Sequence, residues 1–276
     1  NNEKIKIIQW KNVDKSNHYI HEWAPIKKEK IAVIYASGGI MSGESNPGPA
    51  GSSRMGEKTI RKAIKSAREN NDIKAIVLRI NSGGGSSFAS EQIWREIKKT
   101  TVEDSINFKP FIASMSDYAA SGGYEIACQA DTIIASPGTL TGSIGVIGFR
   151  FNFSQLIKRI GINTEWINRG KHADFFTGGR LANEYERKKF QDVINHEYDR
   201  FKDHVREGRE NITEQDDIDQ VAMGRVFTGM RAISKNIPIA LIDTLGSFQD
   251  AIIIAQNAAG LEGKDIEIVE YPKHKN

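Results

Sequence analysis

The chain has a single cysteine, Cys128, among its 276 residues, so no internal disulfide can staple it together. That excludes a disulfide scaffold but leaves the redox compartment open, because extracytoplasmic bacterial proteins also manage without disulfides. Charge of one sign is scarce as well. The 38 Lys and Arg residues nearly cancel the 35 Asp and Glu, leaving a formal +3. With no block of like charge, nothing points to a nucleic-acid-binding tail. No apolar run reaches the roughly 18 residues that cross a bilayer, and the start, "NNEKIKIIQW", has no basic-then-apolar-then-small signal order. An initiator methionine is missing too. Residues 1–29, polar and rich in lysine, are expected to be a lead segment continuing from something upstream, with one domain over residues 30–276.

What is present is an alternation of apolar and amphipathic stretches, with 39% of residues apolar, enough to bury a full core. "KIAVIYASG" (30–38) and "DIKAIVLRI" (72–80) read as buried strands. Between them lies "GIMSGESNPGPAGSS", a loop by its Gly, Pro and Ser content. It is followed from Met55 by helical spacing at Ile60, Ala63, Ile64 and Ala67. "PFIASMS" repeats the plan as a strand, "DYAASGG" as a turn and "YEIACQA" as a helix. "DTIIAS" and "GVIGF" read as further short strands around the turn "PGTLTGSI". A helix over 183–208 carries Phe190, Val193, Ile194, Phe201 and Val205 on one stripe. Repeated strand–helix units predict an α/β fold with mostly parallel strands, whose sites gather where strands end.

Two strand ends look alike. Gly83, Gly84 and Gly85 leave backbone N–H groups open to a ligand oxygen, and Ser121 stands before a helix with Gly122 and Gly123 after it. Singly, these are an ordinary turn and an ordinary N-cap. Together, at consecutive strand ends, they place a hydroxyl cleared of bulk beside oxyanion donors.

"RINSGGGSSFASEQIW", "SMSDYAASGGYEIA", "TLTGSIGVIG" and "VAMGRVFTGMRA" resemble, in order and spacing, the signature blocks of the signal peptide peptidase A (protease IV) family. The resemblance runs from about Lys30 to Asp250. It implies a Clp protease/crotonase-like fold of repeated β-β-α units and a membrane-associated bacterial serine peptidase that degrades cleaved, apolar signal-peptide remnants with a Ser-Lys dyad. It further implies no cofactor, no metal, a homotetramer with the site inside a bowl, and a catalytic domain on the outer side of the bacterial inner membrane. Substrate selection is assigned to a hydrophobic groove near the loop after Ile40. By the same resemblance Ser121 is the nucleophile, Gly84 or Gly85 with the Gly122 amide forms the oxyanion hole, and Ser143 orients the lysine. Gly83 stands where the family usually has proline, which loosens the turn without removing donors.

The lysine is the departure. In short-form members it lies three residues after a glycine, where "RGKHAD" has Ala173, with Lys171 two residues early. Residues two apart in an extended segment share a face roughly 6.6 Å apart, so Lys171 is an in-chain candidate by shifted register. The preferred explanation is that the chain resembles the serine-bearing C-terminal half of a long-form member, with the lysine in an upstream half of the same protein. His172 is read as a loop or strand-face residue rather than a base. His196 and His204 are expected to be solvated on the long helix, and Cys128 to be packed core. Two other readings are weighed: a crotonase-like acyl-CoA hydratase or isomerase, and a scaffold half that only shapes a chamber. The first generally relies on a glutamate rather than a serine in an Ala-Ala-Ser-Gly-Gly turn, and no CoA phosphate site is evident in the sequence.

Overall fold

The structure is a computed structural model and describes residues 28–47, 53–209, 212, 218–233, 237 and 239–272. The expected lead segment, apart from its last two residues, lies outside the described residues. The strands expected at 30–38, 72–80, 110–116 and 131–136 join two further strands in one sheet, whose order is β10 (Thr244–Leu245), β7 (Thr132–Ala135), β6 (Phe111–Ala120), β5 (Ile73–Ser82), β1 (Glu29–Ser37) and β11 (Ile266–Tyr271). Each is parallel to its neighbours in that order. The β1 partner β11 escaped the sequence reading. Its alternation Ile266, Ile268 gives an edge strand with one half-covered face.

Strand alternation sends successive side chains to opposite faces. Ile31, Val33, Ala75 and Val77 pack under α7 (Phe248–Ala258), through Ala251, Ile252 and Ala255. Ala32, Ile34, Ile76 and Leu78 join the larger core on the other face. That face is covered by α1 (Glu57–Glu69), α2 (Ser87–Lys98) and the buried end of α5 (Glu184–Gly208). Between α1 and α2, Arg68 and Glu96 form a buried ion pair at 2.7 Å. Nearby, Lys109 caps the α1 C-terminus by donating to the carbonyls of Ala67, at 3.0 Å, and Asn70. Burial lowers the Lys109 ammonium to about 8.

Several local expectations are corrected. The Gly/Pro/Ser stretch after Ile40 is not only loop: β2 (Gly39–Met41), β3 (Asn46–Pro47) and β4 (Ser53–Gly56) form a small sheet. "PGTLTGSI" contains a strand, β8 (Leu140–Gly142), parallel to the end of β6 and antiparallel to β9 (Val226–Thr228). The helix expected in "YEIACQA" is a single turn, α3 (Gly122–Glu125), because Ala127 and Ala130 close tighter turns beyond it. "GVIGF" is not a strand, and Ile147 and Phe149 are exposed. After it come α4 (Ser154–Arg159) and, with α5, a stripe that is buried only at Phe201 and Val205. The short α6 (Gly229–Ala232) follows β9.

Candidate active site

Ser121 follows directly on β6 and caps α3 with φ 53° and ψ −127°, a conformation that is strained for any residue with a side chain. Three sets of bonds hold it there. Its N–H donates to Gly142 O at 2.9 Å, while its carbonyl accepts from the N–H groups of Tyr124 and Glu125 at 2.8 and 3.0 Å. The buried Tyr124 hydroxyl anchors the turn to Leu241 O at 3.0 Å. Upstream, β6 bulges: Ile80 pairs with Met115, but Ser82 pairs with Ala119. Bulges re-aim the residues that follow them. Arg79 fastens this one by donating to Ser114 Oγ, Met115 O and Ser116 Oγ at 2.9–3.0 Å.

The two glycine turns meet. Gly84 has φ 97°, and a Cβ placed on it would lie 2.7 Å from Gly122 N and 2.8 Å from Ser121 Cβ. A Cβ on Gly122 would lie 2.2 Å from the buried Ser90 hydroxyl. Only bare backbone lets these segments touch. Gly83, by contrast, has nothing within 4 Å of an added Cβ, which fits a position where other residues are tolerated. Of the two candidate donors after β5, the Gly84 N–H is engaged by Ser82 Oγ at 3.1 Å. Among the described residues no acceptor is found for the Gly85 and Gly122 amides.

Ser121, Gly122, Gly85 and Ser143 line one cavity of about 940 Å³. Ser143 arrives there by register: β8 pairs its last residue, Gly142, with Ala120, the last of β6, so Ser143 and Ser121 each follow directly on the paired strand ends, with the Ser121 N–H still bonded to Gly142 O. Ser143 has φ 49° and is held by a 2.6 Å bond from its N–H to Arg225 O. The opposite wall is α5, through Gln191, Ile194, Asn195, Tyr198 and Phe201, and the turn at Met223 and Gly224 closes the rim. No lysine lines the cavity among the described residues. Lys171 and His172 lie on a turn elsewhere, where His172 Nδ1 contacts Glu186 Oε1 at 2.7 Å and Arg180 bridges Asp174 and Glu186 at 2.6–2.7 Å.

Two titratable residues at the site were missed. Glu125 lines the cavity one turn after Ser121, and His204, expected to be solvated, is 6% exposed and meets Glu125 Oε1 at 2.9 Å. Burial raises the Glu125 carboxyl, with His204 and Arg200 pulling it back. The i, i+4 spacing from Ser121 was the available signal. The helical stripe misled for His204, because α2 covers that side of α5: Trp94 stacks on the imidazole at 3.8 Å. Cys128 is buried, as expected, and burial raises its thiol. Among the described residues no group of His, Cys, Asp and Glu is arranged to hold a metal ion.

The model of peptidase family S49 matches residues 103–262. The chain is 40% identical over 245 residues to the chloroplastic serine protease SPPA of Arabidopsis thaliana, covering 88% of this chain and 34% of that protein. It is 39% identical over 232 residues to protease 4 of Salmonella typhi, covering 84% and 35%. The chain therefore spans about a third of the length of these relatives. Among solved structures, a membrane-bound stomatin-specific protease aligns over 90% of this chain and 99% of its own, at 15% identity and a TM-score of 0.47.

Proposed function

The chain belongs to peptidase family S49, and from that premise we propose that it carries the nucleophile of a serine endopeptidase acting on cleaved, apolar signal peptides. One observation carries the reading: a strained serine and two amides without acceptors among the described residues, those of Gly85 and Gly122, line the same cavity. Ser121 Oγ attacks the scissile carbonyl carbon as its proton passes to a base, and the carbonyl oxygen becomes an oxyanion held by the Gly85 and Gly122 N–H groups. Collapse breaks the C–N bond, the leaving amine takes the proton back, and water then hydrolyses the acyl-serine ester. Gly84 serves as the close-contact residue rather than the donor. Ser143, one strand away from Ser121, orients the base.

The base is a lysine from outside the cavity-lining residues, from an upstream part of the protein or a neighbouring subunit. Supporting this, no lysine lines the cavity among the described residues, and Lys171 is exposed on a turn clamped to α5. A homotetramer fits the exposed apolar surface at the cavity rim and past it: Ile147, which lines the cavity, and Ile167 and Phe176 are 90%, 98% and 81% exposed. The proposed site of action is the outer face of a bacterial inner membrane. No helix among the described residues is long and apolar enough to cross a membrane, so attachment would come from other sequence or from partners. A fluorophosphonate probe applied to the full-length protein is expected to leave one adduct, on Ser121. Lys171→Ala should leave that labelling rate unchanged. Loss of labelling in a folded Lys171→Ala protein would instead put the base in this chain.

A further inference from the structure

The mechanism above leaves one feature of the cavity unused, a carboxylate buried in its floor. Glu125 is 3% exposed, lies one turn beyond Ser121, and donates its backbone N–H to Ser121 O at 3.0 Å. Its side chain does not reach solvent but crosses to α5, where Oε1 meets His204 Nδ1 at 2.9 Å. His204 is fixed from two further directions. Trp94 of α2 stacks on its ring at 3.8 Å with planes 12° apart, and its carbonyl accepts from Cys128 Sγ at 3.5 Å. The single Cys128 S–H lies between the His204 carbonyl and the nearer Glu125 carbonyl, at 3.1 Å, so it packs the α3 turn against α5 beside the Glu125–His204 bond.

Taking a carboxylate out of water is costly, and a buried ionic pair is a poor way to gain stability over apolar packing of the same volume. Directional bonding is what such a pair does offer. α5 supplies the cavity wall facing Ser121, through Ile194, Asn195 and Tyr198, and α3 is a single turn with few bonds of its own. We propose that Glu125 and His204 are a positioning pair, which fixes the nucleophile turn against the α5 wall so that Ser121 and the Gly122 amide face a bound acyl group together. The pair does not touch the reacting atoms. It acts through the Ser121 carbonyl and the α3 turn. Arg200, which pairs with Glu91 at 3.3 Å and Glu197 at 2.5 Å, braces the same stretch of α5 from α2.

The inference rests on Ser121 being the nucleophile, and the test separates the two claims. Saturable labelling of full-length protein by a fluorophosphonate yields a maximal rate and a half-saturating concentration. If Ser121 is not the nucleophile, the unaltered protein gives no Ser121 adduct. If it is, the double variant Glu125→Met with His204→Phe keeps the volume and the stack on Trp94, so it should match the unaltered protein in thermal midpoint. Its maximal labelling rate should nevertheless fall roughly 10- to 100-fold with little change in half-saturation, the scale of a misplacement of about 1 Å. Glu125→Gln, which still accepts from the imidazole N–H, should restore the rate to within about threefold of the unaltered protein. Labelling of the double variant at the unaltered rate would overturn the proposal. So would a Glu125→Gln protein as slow as the double variant, since that would make charge rather than the bond the requirement. If the double variant does not fold, the Glu125→Gln rate alone decides.

Discussion

Residues 111–130, which carry Ser121, and residues 146–182, which follow the Ser143 turn, are both rich in apolar side chains and end up in opposite conditions. In the first, Phe111, Ala113, Met115, Tyr124 and Ile126 are sealed under neighbouring strands and helices, and the backbone is bonded to β5, β7 and β8. In the second, Phe149, Phe151, Phe153 and Trp166 stay exposed, and no strand forms. Polar clamps secure it instead: Arg180 with Asp174 and Glu186, and His172 with Glu186. The nucleophile turn is therefore enclosed by its own neighbours, whereas the later segment keeps apolar surface that no other described residue covers. A turn that must hold a strained serine needs a rigid surround of its own. A segment that meets another surface needs only to be kept from collapsing.

The comparison breaks first at Ser121. Ser121→Gly should abolish probe labelling and peptide cleavage, by at least ~1000-fold, as loss of a nucleophile does. It should also raise the unfolding free energy by about 1 kcal/mol, because glycine accepts a positive φ that serine resists. Chemical denaturation alongside labelling would read both, and a Ser121→Gly protein less stable than the unaltered one would deny that the turn stores strain. Gly84→Ala tests the contact of the two turns. The added methyl meets the backbone of Gly122 at 2.7 Å in a left-handed conformation, so a loss of about 3 kcal/mol is expected, with a slower labelling rate in the folded fraction.

Two smaller effects sharpen the other side. Contact with the Arg180 guanidinium holds the Glu186 and Asp174 carboxyls below the usual carboxylate range, Glu186 also through His172. Their folded-state pKa values are depressed. The clamp's contribution is thus present above the ordinary carboxylate pKa and is lost as pH falls through the folded values. Hydrogen exchange should show residues 171–181 opening on acidification while β5 and β6 stay protected, and Arg180→Ala should open them at neutral pH with the global midpoint nearly unchanged. Protection of 171–181 that survives Arg180→Ala would show that the clamp is not what holds the turn. The smallest effect is Ile167→Ser. On an exposed side chain it should move stability by no more than about 0.5 kcal/mol, yet reduce the assembled mass in sedimentation if this surface joins subunits.

Much of this was legible in one dimension. β1 and β5 declared themselves by short apolar runs rich in Ile and Val, and β6 by "PFIASMS" repeating that plan, as strands buried on both faces do. The α5 helix was visible in its period, and its Asn183–Glu186 capping box begins it where the pattern does. Ser121 among small residues was the strongest local signal for the site. Less legible were "GVIGF" and the upper stripe of α5, where apolar spacing promised burial and Ile147 and Val193 are exposed. Periodicity reports which face a segment can bury, not whether a partner is there to bury it. His204 failed in the opposite sense, since nothing in the residues around it announces that Trp94 will cover its ring.

By itself, then, the sequence determined where the central strands and the long helices run, which turn carries a hydroxyl with no bulk beside it, and where glycine is needed. These follow from nearest-neighbour sterics and side-chain period, which act over a few residues. Tertiary structure decided which amides remain without acceptors among the described residues, that the Ala120–Gly142 register brings Ser143 and Ser121 to one cavity, that Glu125 of the cavity wall meets His204 behind it, and that Lys171 lies on a turn that does not line the cavity. Each of these depends on pairing between residues far apart in the chain, where one step of register or the packing of one helix changes the neighbour.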